Sequence, residues 1–213
     1  MKSYWINKKE ENTKLIVFFN GWGMNETPFK HLKCEDYDVL VVHDYSNLDF
    51  NFSEFDFLKY KEKNIIAWSM GVYVSNLFFD SLNNFDKKIA INGTSKMIDN
   101  AFGIPKKIYD ITIKLFCEKT CEKFIQNMFE NEKIPPEITI TRTLESLKQE
   151  LVILKNLKIE NELTFDLAII SQNDKIVPSQ NQLAFWENKT IIKKINSSHC
   201  PFGLYSKWTD LLC

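Results

Sequence analysis

Three side chains, far apart in the chain, are of the types that together perform acyl transfer: Ser69, Asp174 and His199. Ser69 lies in Ala67-Trp68-Ser69-Met70-Gly71, with a small residue two before it and another two after. The apolar run Ile65 to Trp68 suits a buried strand, and a helix-like run follows from Met70 to Leu82. A chain that passes from strand to helix within one residue brings backbones together at those two positions, and a large side chain at either would clash. Such a turn holds the serine hydroxyl above the sheet. The start of the following helix supplies N–H groups where an oxyanion would form. The plainer alternative is a serine that only caps a helix.

Asp174 and His199 each fall in a polar loop just after an apolar strand-like run. In such a set the imidazole takes the serine proton and later gives a proton to the leaving group. The carboxylate fixes the imidazole tautomer and stabilises its charged form. The N–H groups of Trp22 and Met70 are the candidate oxyanion donors. Asp174 also reads as a turn residue ahead of Val177-Pro178. Two other histidines compete as base. His31 sits in Phe29-Lys30-His31-Leu32-Lys33 with no acid placed to orient it. His43, followed by Asp44, ends another strand and could line the same cleft.

The elements that must position these groups alternate. Tyr4 to Ile6 reads as a short edge strand and Leu15 to Phe19 as a central one. The latter runs into Asn20-Gly21-Trp22-Gly23-Met24, an unusual turn at the strand end where ligands bind in open sheets. Val39 to Val42, Lys88 to Ile91, Leu167 to Ile170 and Thr190 to Ile195 are further strands. Ser46 to Lys63 is rich in residues that prefer turns, so a loop or a short helix near Glu54 to Tyr60 is expected in place of a full helix. This pattern predicts an α/β fold with a mostly parallel central sheet, some flanking helices replaced by loops.

Residues 97–160 differ in character. Tyr109 to Phe129 carries apolar residues at helical spacing, Pro135-Pro136 breaks the run, and Leu144 to Leu154 is a further amphipathic helix. The expectation is a core of residues 1–96 and 161–213 with a helical lid, 97–160, inserted in it. Phe202 to Leu212 closes the chain as a helix, with Trp208 and Leu211 packing on the core.

A net charge of −1 creates no global field favouring nucleic acid or a membrane surface. No stretch approaches the ~18 apolar residues of a membrane span, and the N-terminal residues lack a signal-peptide run, so a cytoplasmic location is expected. The odd count of five cysteines argues for reduced thiols. Cys117 and Cys121 are four apart without a second pair of ligands nearby, and read as packing residues. No metal constellation and no phosphate-binding glycine-rich loop stands out, so neither a metal nor a cofactor is expected.

Asn20-Gly21-Trp22-Gly23-Met24, Ala67-Trp68-Ser69-Met70-Gly71, Ala90-Ile91-Asn92-Gly93-Thr94, Gly103-Ile104-Pro105 and Ser198-His199-Cys200-Pro201-Phe202 together resemble the BioG family. These are pimeloyl-[acyl-carrier protein] methyl ester esterases of biotin synthesis, and the similarity runs over most of the chain. The BioH esterases have a similar Gly-Trp-Gly turn, Trp-Ser elbow and His-x-Pro-Phe segment. The order Ser, Asp, His is that of α/β hydrolases. The resemblance implies that fold, with Ser69 as nucleophile, His199 as base, Asp174 as acid partner, and Trp22 and Met70 at the oxyanion hole. It implies a serine carboxylesterase acting on the methyl ester of pimeloyl-ACP, and an acyl carrier protein as partner. Trp22, Phe124 and Met128 are then candidates for substrate binding, with Phe116 and Ile125 beside them. Lys123, first among the lysines of the lid, is the candidate for carrier docking. A broad short-chain carboxylesterase or thioesterase, and a non-catalytic binding protein on the same scaffold, are the alternatives.

Overall fold

The structure, a computed structural model, describes residues 1–129 and 141–213. Seven strands form one sheet: β1 (Lys2–Asn7), β2 (Lys14–Phe19), β3 (Tyr37–His43), β4 (Glu62–Trp68), β5 (Lys87–Ile91), β6 (Leu167–Ser171) and β7 (Ile191–Ile195). Their order is β1-β3-β2-β4-β5-β6-β7. Only β1 runs antiparallel to its neighbour; every other pairing is parallel. The expected strands are all present, with β4 beginning at Glu62, ahead of its apolar run.

Both faces of the sheet are covered, which is why the inner strands read as continuous apolar runs. Leu15, Val17 and Phe19 enter one hydrophobic cluster, while Ile16 and Phe18 enter the other. On the first face Ala67 pairs with Ala90, and Ala90 with Ala168. This row of small residues leaves room for the helix that follows β4. The second face is covered by Phe29, Phe202, Trp208 and Leu211, among others.

Three helical expectations are corrected. The run after β4 is interrupted: α1 (Met70–Ser75) gives way to a 3-10 turn at Asn76–Phe78 and then to α2 (Phe79–Leu82). Ser75 and Asn76 side chains donate to the Val72 carbonyl, competing for the acceptor that helix continuation needs. Tyr109 to Phe129 is two helices, α3 (Lys106–Lys114) and α4 (Glu118–Phe129). Between them the Thr120 hydroxyl accepts the Cys117 N–H at 2.9 Å and starts the second helix afresh. The Pro135-Pro136 break lies outside the described residues. Phe202 to Leu212 is not one helix. It forms 3-10 turns at Pro201–Leu204 and Trp208–Leu212, separated where Lys33 pairs with the backbone of Ser206 and Trp208. Trp208 and Leu211 are nonetheless fully buried.

Ser46 to Lys61 is largely irregular, with two 3-10 turns capped by Asn51 and Asp56. Phe50, Phe52, Phe55 and Phe57 fill the space a helix would take, packing on one another and on Phe78 and Phe85. One helix was not anticipated, α6 (Ser179–Trp186), which starts directly after Pro178.

Helix α5 (Leu144–Asn156) is fixed to the sheet by buried charge. Arg142, the only arginine in the chain, pairs with Glu150 and, at 2.9 Å, with Asp44 at the end of β3. Lys2 on β1 also reaches Asp44, at 2.9 Å. Burial pushes the Glu150 carboxyl up, against the opposing charge of Arg142. Burial also works against ionisation of Asp44. Hydrogen bonds from Lys2 and Ser46, with the Arg142 charge, outweigh it and hold that carboxyl at about 2.

Because the folded value for Asp44 lies below its ordinary 3.8, its contribution to stability is complete above that value and is lost as pH falls toward about 2. Asp44→Asn should therefore lose less stability than wild type between about pH 4 and pH 2. Urea unfolding at a series of pH values reads this, and parallel curves would assign the acid sensitivity to another group.

Candidate active site

Ser69 alone makes the reversal between β4 and α1, at φ 57° and ψ −123°. A non-glycine residue in so sparse a region costs about 1–3 kcal/mol, so the surroundings must impose it. The Ser69 N–H donates to the Ile91 carbonyl at 2.9 Å, and the Val72 N–H donates to the Ser69 carbonyl at 3.1 Å. Two glycines make the close approach possible. A Cβ on Gly71 would lie 2.2 Å from the Phe19 carbonyl oxygen, and one on Gly93 would lie 2.4 Å from that of Ser69. Ala67, on the other side of the serine, is fully buried between Phe19 and Ala90.

His199 stands over this turn. Its Nε2 is 2.9 Å from Ser69 Oγ and its Nδ1 is 2.8 Å from Asp174 Oδ2. Asp174 Oδ1 accepts the N–H groups of Ile176 and Val177, at 2.8 and 2.9 Å. Its Oδ2 also accepts Gln182 Nε2 at 2.9 Å. Every partner of this carboxylate is a donor, which assigns the Nδ1 proton to the imidazole and leaves Nε2 as an acceptor facing the hydroxyl. All three side chains are buried.

The loop carrying His199 is gripped from three sides. Its carbonyl accepts Trp68 Nε1 and Asn92 Nδ2, both at 2.9 Å. Asn92 stands at the end of β5 with φ 47° and also holds Ser171 at the end of β6, through Nδ2 and Oδ1. The Cys200 N–H donates to the Met128 carbonyl in the last turn of α4, at 3.2 Å. Trp68, read from the sequence as part of the elbow, thus also positions the histidine.

Ser69 opens on a cavity of about 150 Å³, walled by Trp22, Met70, Ile104, Tyr109, Phe116, Phe124, Leu151 and Ile176. Thr112 and Asn127 add polar groups to the wall. The Trp22 ring meets Phe116 and Phe124 edge-on, at 5.7 and 4.9 Å. Its Nε1 donates to the Leu147 carbonyl at 3.1 Å. Among the described residues, neither the Trp22 nor the Met70 N–H donates to a protein acceptor. A hydroxyl next to an acceptor imidazole, with unengaged N–H groups beside it and an apolar wall, is an arrangement suited to acyl transfer.

Ser69, Asp174, His199, Trp22, Met70 and Phe124 therefore converge on one place. Met128 does not line the cavity; its side chain packs in the cluster on the opposite face of the sheet, as Ile125 does in part. The helical phase of α4 explains this, because Thr120, Phe124 and Asn127 share the cavity-facing side. Lys123 is exposed on the same helix. His31 bonds the Pro28 and Phe202 carbonyls away from the cavity. His43 is half-buried at the end of β3, its pKa lowered by burial, and does not line the cavity. Sequence reasoning missed Gln182, Asn92 and Glu150 as supports. For Gln182, the proline ahead of an otherwise helix-compatible run was the available signal. Among the described residues no group of His, Cys, Asp and Glu could hold a metal ion, and no helix is long and apolar enough to cross a membrane.

Comparison with known proteins agrees with this architecture. The crystal structure of BioG from Haemophilus influenzae superposes with a TM-score of 0.87 at 27% identity, covering 100% of both chains. An esterase from Exiguobacterium antarcticum superposes at 0.72 with 14% identity, over 94% of this chain and 88% of that one. The fold is that of the α/β hydrolases. A malonyl-[acyl-carrier protein] O-methyltransferase of Bacteroides fragilis is 36% identical over 179 residues, 81% of this chain. The match spans only about a third (36%) of that longer protein. The model of the pimeloyl-ACP methyl esterase BioG family matches residues 1–211, and the chain belongs to that family.

Proposed function

We propose that this chain is a serine carboxylesterase that hydrolyses the methyl ester of pimeloyl-ACP, giving pimeloyl-ACP and methanol, in biotin synthesis. The observation that carries the reading is the unbroken hydrogen-bonded line from Ser69 through His199 to Asp174, set against an apolar cavity. His199 Nε2 takes the Ser69 proton as Oγ attacks the ester carbonyl. The N–H groups of Trp22 and Met70 receive the oxyanion, each worth roughly 3 kcal/mol of barrier. The methoxide departs as methanol with the proton from His199. Water, deprotonated by the same nitrogen, then releases the acid from the acyl-enzyme. Phe116, Phe124 and Ile104 offer the apolar surface that the pimeloyl methylenes require. Helices α3 to α5 act as the lid over that chain, and Trp22 and Phe124 are its first contacts.

The partner is an acyl carrier protein, docking in part through exposed Lys123. Methyl transfer, named for the Bacteroides relative, makes the kind of ester that this site would remove. The Ser-His-Asp line supports removal, and the segment shared with that relative is the smaller part of it. A broad short-chain carboxylesterase is the second reading, favoured by the modest cavity of about 150 Å³. Relative rates on the carrier-bound methyl ester and on a p-nitrophenyl ester separate the two.

Three outcomes are expected. Fluorophosphonate should label the wild type at Ser69, and Ser69→Ala should abolish labelling and lower kcat by about 10⁴ or more. The same variant should fail to restore biotin-independent growth to a strain lacking its own esterase, where wild type succeeds. Absence of labelling in the folded wild type would refute the serine mechanism. Gln182→Leu removes a donor from Asp174 Oδ2, and kcat should fall roughly tenfold with KM little changed. An unaltered kcat would mean that the Ile176 and Val177 amides alone orient the carboxylate. Lys123→Glu should depress kcat/KM several-fold on the carrier-bound ester at low salt and spare the p-nitrophenyl ester. Normal turnover on the carrier-bound ester at low salt would remove Lys123 from the docking surface.

A further inference from the structure

We infer that Tyr45 and Glu150 are positioning residues for the oxyanion loop, so that α5 belongs to the catalytic machinery as well as to the cavity wall. The inference rests on the serine-hydrolase reading above and extends it to groups that touch no substrate.

The loop of residues 20–25 is braced within itself. Asn20 Oδ1 accepts the Gly21 N–H at 2.8 Å, and Asn20 Nδ2 donates to the Asn25 carbonyl at 2.8 Å. That closes the loop without fixing where it points. From outside, the Asn20 N–H donates to the Val42 carbonyl at 3.0 Å and anchors the start of the loop to β3; two side-chain hydrogen bonds, on either side of Gly21, add to that anchor. At Asn20, the Tyr45 hydroxyl donates to the carbonyl at 2.7 Å. At Trp22, the indole Nε1 donates to the Leu147 carbonyl of α5 at 3.1 Å. Gly21 itself has no slack, since a Cβ there would lie 2.9 Å from the Trp68 ring. The Trp22 N–H is thus aimed by the hold on Asn20 before it and by the hold on its own indole.

Both contacts lead to α5. The Tyr45 N–H donates to Glu150 Oε1 at 3.0 Å, and the other Glu150 oxygen pairs with Arg142, which also holds Asp44. Tyr45 and Glu150 are both 0% exposed. A carboxylate in such a place is costly, and a hydrophobic side chain of like size would pack there at lower cost. A phenyl ring would likewise serve at position 45 if packing were the only task. Polar groups at both places are explained by what they hold: Glu150 sets Tyr45, and Tyr45 sets the Asn20 carbonyl. Shifting an oxyanion donor by about 1 Å can cost up to 10²-fold in rate, so a brace one residue away has kinetic weight.

The test uses the full chain carrying Tyr45→Phe, which keeps the ring and deletes one hydroxyl, and Glu150→Gln, which keeps an acceptor for the Tyr45 N–H. On a p-nitrophenyl ester, which needs no carrier, Tyr45→Phe should lose about tenfold in kcat with KM within about twofold. Its affinity for an aryl boronic acid, whose adduct on Ser69 places an oxygen in the oxyanion hole, should fall by a similar factor. Glu150→Gln should show the same pattern to a smaller degree. A purely structural role predicts the opposite: a lowered Tm in both variants, with kcat and boronate affinity of the folded enzyme unchanged. That result would overturn the inference while leaving the hydrolase reading intact. A wild type that neither turns over the ester nor binds the boronate would remove both.

Discussion

The one-residue reversal at Ser69 is the constraint from which the rest follows. Its backbone lies in a region worth about 1–3 kcal/mol of strain. The strain persists because α1 is pressed onto the end of β2 and β5 onto the serine itself, at distances only glycine permits. The alanine row across Ala67, Ala90 and Ala168 keeps the sheet face low enough for that approach. The hydroxyl therefore stands clear of the sheet by geometry that packing enforces, and the strain is offset by the core beneath it. A larger residue at either flank would exchange this fixed hydroxyl for an ordinary helix start.

The same device recurs at the ends of three strands. Asp44 after β3, Ser69 after β4 and Asn92 after β5 all have positive φ, at 59°, 57° and 47°. Asn and Asp tolerate this conformation because their short polar side chains bond locally; serine needs a surrounding that compels it. Each of the three turns a side chain back across the carboxyl end of the sheet. Asp44 receives Arg142 and Lys2, Ser69 meets His199, and Asn92 holds the His199 and Ser171 backbones. The site is built at the carboxyl ends of the strands, where parallel sheets favour it.

How much of this the residues disclose depends on whether the cause is local. The strands were legible because both faces of the inner sheet are buried, and burial on both faces writes itself as an apolar run. The elbow was legible because a close backbone approach restricts two positions to small residues. The breaks after Ser75 and before Glu118 were not, since they arise from Asn76, Ser75 and Thr120 side chains that compete for or supply backbone partners. Met128, one turn beyond Phe124, packs in the second cluster and not on the cavity wall, and the sequence does not disclose where along α4 the cavity ends. Gln182, Asn92 and Glu150 stayed hidden because a buried polar residue declares its partner only in three dimensions. The 3-10 turns at the C-terminal end answer to Lys33, more than a hundred and seventy residues away in sequence, and no local pattern carries that.

The helices over the cavity grip both halves of the reaction centre. The end of α4 holds the histidine loop through the Met128 carbonyl and the Cys200 N–H. Its Phe124, with Phe116 ahead of it, stacks edge-on against Trp22. Helix α5 holds the oxyanion loop through Leu147 and carries the buried charge that fixes it to β3. Tyr109 of α3 donates to the Leu151 carbonyl of α5 at 3.0 Å, which ties the two helices together. A displacement that widened the cavity would pull on the His199 loop and on the loop of residues 20–25 at once. On the proposed function, substrate fit and chemical competence become one variable: an acyl chain filling the space between Phe116, Phe124 and Leu151 would favour the arrangement in which the imidazole and the Trp22 amide are in place. Under the proposed function, discrimination between a long carrier-borne chain and a short ester would then act on kcat as well as on binding, because the apolar contacts and the polar braces share the same helices.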